Sequence, residues 1–145
     1  MIGSKLYKQS QLILDKLYNE AKILDVDLKK ELYKEYLKLL RISAHRGYSD
    51  AQFDLAQHYD DVGYWGVPNP YHNIYKKFYW YSKAAEKNHA AACNNLANMY
   101  ERGEGCQKDI YKALELYKKS SDLGDSLGRK NYKLLLHQIE SEKNK

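Results

Sequence analysis

Cysteine and proline are scarce in this chain, and each shortage excludes something. Two cysteines in 145 residues, Cys93 and Cys106, cannot staple a small fold, and their spacing fits no metal knuckle. They read as free thiols filling small-residue slots. The only prolines, Pro68 and Pro70, share one loop, so no other stretch carries this helix breaker. No apolar run approaches the roughly 18 residues that a membrane span needs. After Met1 the charge returns too soon for a signal-peptide core, with Lys5, Lys8 and Asp15 closely spaced. These absences predict an unexported, cytoplasmic protein with no membrane partner.

Motifs for chemistry are missing as well. None of the five histidines pairs with another at i and i+4 around a glutamate, as a zinc hydrolase helix requires. There is no phosphate-cradling Gly-x-x-x-x-Gly-Lys-Ser/Thr loop. Cys93 and His58 could meet on adjacent helices, but nothing in the sequence activates that thiol. The expectation is a non-enzyme with no metal and no cofactor. The net charge of +5 is split unevenly, with excesses of +3, −1 and +3 over residues 1–50, 51–105 and 106–145. That pattern leaves no continuous basic stripe, so nucleic acid is not an expected partner.

What the chain does contain is repetition. Ala44, Gly47, Ala51, Leu55, Ala56 and Tyr59 recur as Ala85, Asn88, Ala92, Leu96, Ala97 and Tyr100, a period of 41 residues. A weaker copy follows 36 residues later in Ser121, Gly124, Gly128, Tyr132 and Leu136. Periods of this length mark stacked supersecondary units, none of which can bury its apolar face alone. Apolar spacing of three and four predicts helices almost throughout. The segment from Ser4 to Leu24 is one. Asp25 to Asp27 breaks the chain and caps a second, whose buried face is Leu28, Leu32, Tyr36, Leu39, Leu40, Ser43 and Ala44.

Each repeat holds two helices, the first around Leu55 or Leu96 and the second around Tyr81 or Tyr117. Asn73 and Asp109 stand where a side-chain oxygen can cap the second helix. Gly47, Asn88 and Gly124 stand where the chain must leave a helix in the left-handed conformation, which glycine and asparagine adopt at least cost. Small residues (Ala51, Ala56, Ala84, Ala85, Ala92, Ala97, Ala113) alternate with large ones (Leu55, Tyr59, Trp80, Tyr81, Leu96, Tyr100, Leu116, Tyr117). Such alternation lets neighbouring helices interlock at about 8–10 Å. Most of the 15 tyrosines fall at seam spacing, Tyr33 with Tyr36 and Tyr111 with Tyr117, although a recognition surface would use the same residue type.

Leu96, Tyr100, Gly103, Gly105, Asp109, Ala113 and Tyr117, with Trp80, Tyr81, Ala84, Ala85 and Asn88, resemble the SEL-one-like repeat, a relative of the tetratricopeptide repeat. The likeness runs over about residues 44–136. Ala56 and Ala97 replace the family glycine, Cys106 the usual valine, and Lys133 fills a small-residue slot. The resemblance implies an all-α, right-handed α/α superhelix whose first helices line a concave face. It divides the chain into an N-terminal helical pair (1–46), repeat one (47–87), repeat two (88–123), a capping helix (124–142) and a disordered tail (143–145). It also implies an adaptor or scaffold for another protein, in a form we expect to be monomeric. By analogy a short free-standing member could neutralise a co-encoded bacterial toxin. A hydrolase of the β-lactamase type is the rival, but no serine has lysine three places on.

At 100° per residue, Phe53, Asp54, Gln57 and Asp61 lie opposite the core face of their helix. Asn94, Asn95, Asn98 and Arg102 occupy the equivalent places in the next copy, and Lys130 and Asn131 in the last. A row of amides and charges on a concave wall suits hydrogen bonding to a partner segment; it is equally what a solvated face looks like. The second candidate is the stiff 63–72 loop, where Tyr64, Trp65 and Tyr71 either anchor a partner or fold back as a lid.

Overall fold

The computed structural model describes residues 1–60 and 71–144. Seven helices follow in order: α1 (Ile2–Asn19), α2 (Val26–His45), α3 (Ser49–His58), α4 (Ile74–Glu86), α5 (Ala90–Arg102), α6 (Ile110–Asp122) and α7 (Ser126–Lys143). There is no strand among the described residues. Each helix packs on the next, and α5 also meets α7. That order is an α/α superhelix in which α1, α3, α5 and α7 are the first helices of successive pairs.

The helix ends show why these boundaries form. Asn73 accepts a hydrogen bond from the Lys76 amide and Asp109 from the Lys112 amide, both at 2.9 Å. Asp25 accepts from Asp27 and Leu28. These are the expected caps, each satisfying amides that have no partner within the helix. At the other ends, Gly47, Asn88 and Gly124 adopt φ values of 82°, 60° and 94°. Beside each, the following amide reaches back: Tyr48 to the Ser43 carbonyl, His89 to Ala84 and Asp125 to Ser120. Three copies of one left-handed cap therefore turn α2 into α3, α4 into α5 and α6 into α7.

Packing follows the small–large pattern. All seven expected alanines are buried, Ala85 being the most exposed at 3%. Leu55, Tyr59, Trp80, Tyr81, Leu96 and Tyr117 are buried among them, whereas Tyr100 and Leu116 are half-buried. Tyr100 and Leu116 touch both the cluster built on α2–α5 and the cluster of Ala97, Ala113, Tyr117, Leu135 and Ile139, so the core runs on along the array. Full burial of one such side chain is worth about 1.5–3 kcal/mol. At Gly128 the backbone of α7 comes so close to α6 that a Cβ would meet the Ser120 side chain.

Three sequence expectations need correction. Leu28, in the first turn of α2, is 42% exposed, while Leu37, left off the expected face, is buried. Tyr111 is 63% exposed: it sits in the first turn of α6, on the outer surface rather than in a seam. The last helix reaches Lys143, into the stretch expected to be a tail.

Candidate functional site

The first helices meet edge to edge through polar side chains, and most expected concave residues belong to these seams. Between α1 and α3, Asp54 Oδ2 accepts hydrogen bonds from the Tyr7 hydroxyl at 2.9 Å and from Gln11 Nε2 at 3.1 Å. Burial pushes the Asp54 carboxyl up, against the two hydrogen bonds that favour its charged form. The Tyr7 hydroxyl is raised in turn, by burial first and by the charge of Asp54 next. Between α3 and α5, the Phe53 ring stacks on His89 with centroids 4.6 Å apart, and His89 Nε2 lies 3.5 Å from Asp50. Between α5 and α7, Asn131 Nδ2 donates to Asn94 Oδ1 at 2.9 Å. Asn94 Nδ2 then donates to Asn95 Oδ1 at 3.2 Å.

Beside this last seam lies a groove of about 300 Å³. Asn94, Asn95 and Asn98 of α5 and Asn131 of α7 form one side, with Met99 and Leu127. Asp60, Lys77 and Tyr81 form the other, and Lys77 and Asp60 are ion-paired at 3.0 Å. Asn98 also hydrogen-bonds Tyr117, whose hydroxyl donates to Glu101 at 2.8 Å; burial and then that carboxylate raise the phenol.

The structure thus brings four expected residues, Asn94, Asn95, Asn98 and Asn131, to one groove. Gln57 on α3 and Lys130 on α7 are exposed outside the groove, and Arg102 is exposed beside Glu104 at 3.6 Å. Phe53 and Asp54 are occupied within the protein, because a neighbouring first helix lies where the sequence reading placed open solvent. Asp61, Tyr64 and Trp65 fall outside the described residues. Tyr71 is half exposed, with the Arg41 guanidinium 5.8 Å from its ring centre and the His58 ring 5.6 Å away.

Sequence reasoning missed Lys77, Met99 and Leu127 as groove residues. Met99 is buried in the core, and Leu127 aligns with Ala91 of the preceding copy, outside the residues taken to line the wall. It also missed a pair of exposed tyrosines in matching register on the outer face, Tyr75 at 72% and Tyr111 at 63%. Their shared position directly after the capped turn was the available signal.

His58 and Cys93 do not form a reactive pair. His58 is buried and shares a 3.1 Å hydrogen bond with the Tyr33 hydroxyl, and burial together with the Arg41 charge lowers its pKa to about 4. Cys93 is buried against the Ala85 carbonyl, with its thiol raised by burial. No helix among the described residues is long and apolar enough to cross a membrane.

Comparison with known proteins agrees with this architecture. The Sel1 repeat model matches residues 49–89 and 90–125, more than half of the chain. A Sel1 repeat protein from Oxalobacter formigenes superposes with a TM-score of 0.70 at 26% identity, over 90% of this chain and 87% of that one. The protective antigen c5321 of uropathogenic Escherichia coli, described as displaying an SLR fold, gives 0.61 at 24% identity, over 88% of this chain and 27% of that one. Cysteine rich protein B of Helicobacter pylori gives 0.60 at 19% identity, over 88% and 95%.

Proposed function

The chain belongs to the Sel1 repeat family, and from that premise we propose that it is a protein-interaction scaffold that holds a partner protein against its concave wall. The observation that carries this reading is the groove, where four asparagine carboxamides gather beside an exposed leucine. Carboxamides both donate and accept, so they can pair with a polypeptide backbone without demanding charge on the partner. The described part of the chain offers no comparable cluster of groups poised for catalysis, and the reading needs neither metal nor cofactor.

The test is affinity capture with two surface variants. Gln57→Lys combined with Lys130→Glu alters the concave wall at exposed positions, and Tyr75→Ser combined with Tyr111→Ser alters the outer face. Both variants should keep the helical circular dichroism of the parent. A partner captured by the parent at fixed stoichiometry should be lost with the concave variant and kept with the outer one. The reverse pattern would refute the concave reading.

A further inference from the structure

Helices α1, α3 and α5 each lie against the second helix that follows, whereas no helix among the described residues follows α7. The register of the repeat shows which face of α7 this leaves open. At the offset of 36 residues, Cys93, Ala97 and Tyr100 of α5 align with Arg129, Lys133 and Leu136 of α7. Ala97 is buried in one cluster with Ala113 and Tyr117 of α6, and Tyr100 packs on that cluster. Arg129, Lys133, Leu136 and Glu140 follow one another at intervals of four, three and four, so they form one stripe along α7. Leu136 is half-buried and the three charged residues are exposed.

The charges on this stripe say what covers it. Lysines of the second helices pair within their own helix, Lys83 with Glu86, Lys112 with Glu115 and Lys118 with Asp122. Arg129 and Lys133 make no ion pair with any described residue. The acids before them are committed, Asp122 to Lys118 and Asp125 to Ser120 and the Gly128 amide. Lys133 stands where α5 has a buried alanine, so a covering helix with alanine at the matching place, as α6 has Ala113, would bury the ammonium unpaired. That is costly, and a carboxylate on the covering helix removes the cost. The order of the charges also sets a direction. A helix antiparallel to α7 puts its partly negative C-terminal end beside Arg129 and its partly positive N-terminal end beside Glu140.

We propose that this stripe docks an acidic amphipathic helix of another protein, antiparallel to α7, which completes the third pair as α6 completes the second. Its carboxylates pair with Lys133 and Arg129, and a bulky apolar residue lies on Leu136. The site is separate from the asparagine groove and lies at the end of the array. A second copy of this chain is the wrong occupant, because α1 at the other end exposes Lys5, Lys8 and Lys16 against Asp15 and would meet α7 with like charge. Affinity falls as salt rises, since exposed ion pairs hold the helix.

Fluorescence anisotropy with the full chain tests it, using a labelled stapled helix with leucines on one face and glutamates flanking them. Two further probes are a helix with lysine for glutamate and an equally acidic peptide kept unfolded by proline. The acidic helix should bind, the lysine helix should not, and the unfolded peptide should bind at least about tenfold more weakly. Arg129→Glu combined with Lys133→Glu, both at exposed positions, should reverse the preference to the lysine helix with circular dichroism unchanged. Lys5→Glu combined with Lys8→Glu on α1 should change nothing. No binding of the acidic helix would overturn the proposal and leave the stripe a solvated end of the array. Equal binding of the unfolded peptide, indifference to the α7 variant, or loss with the α1 variant would overturn it too. So would a dimer of the chain, seen by ultracentrifugation, that the α7 variant dissolves. The concave wall is tested by its own variants, and none of these results decides it.

Discussion

His58 shows most clearly how a single side chain ties stability to conditions. Its folded pKa of about 4 lies below the ordinary 6.5, lowered by burial and by Arg41. A base whose pKa is depressed on folding is protonated first in the unfolded chain. Stability therefore falls as pH drops from about 6.5 toward 4, and is unaffected by this group above that window; the full loss is roughly 3 kcal/mol. Urea midpoints measured from pH 7 to 4 should fall more steeply for the parent than for His58→Gln, and parallel curves would show that His58 carries none of the effect. Gly128 makes a second case. A Cβ there would meet Ser120, so Gly128→Ala should destabilise by about 1–3 kcal/mol through overpacking. A midpoint equal to the parent would mean that α6 and α7 can part without cost. The sequence showed Gly128 only as a member of a weak repeat. The closeness of Ser120 needs both helices in place before it can be seen.

At the scale of elements, the caps carry the repeat. Asn73 and Asp109 hold the same amide at the same 2.9 Å in two successive helices. Replacing either with alanine should cost about 1 kcal/mol, and replacing both should cost the sum, since the two sites share no partner. Thermal melts of the single and double variants check this; a strongly non-additive double variant would show that the repeats are coupled through their turns. These elements were legible in the sequence because caps and left-handed turns are local: Asn73, Asp109, Gly47, Asn88 and Gly124 announce themselves by residue type and spacing. The alanine–tyrosine interlock was legible for a similar reason, since a helix that repeats must present the same face to each neighbour. The concave wall was only half legible. Helical angle alone puts Asp54 and Asn95 on one face, yet Asp54 is taken by Tyr7 and Gln11 from α1. That α1 would lie alongside α3 is a matter of tertiary placement, which periodicity within a single helix does not contain. Tyr111 was misplaced for the converse reason: spacing relates it to Tyr117, but in the first turn of α6 it is Ile110 that packs on the core, and Tyr111 is left exposed.

Across the whole molecule, polar seams join first helix to first helix while alanines and tyrosines fill the space behind them. The seams differ in chemistry, a carboxylate with a phenol at α1–α3, stacked rings at α3–α5 and carboxamides at α5–α7, so the wall is not uniform along its length. The last seam lies beside a groove lined by four asparagines. The account stands or falls on that wall being where a partner sits. Side-chain carboxamide resonances of Asn95, Asn98 and Asn131, followed by NMR as a bound peptide or partner is titrated in, report on it directly. The account predicts that these resonances shift together with the methyl signals of Leu127, while the ring signals of Tyr75 and Tyr111 stay fixed. Shifts confined to the tyrosine rings, with the three carboxamides unmoved, would contradict it.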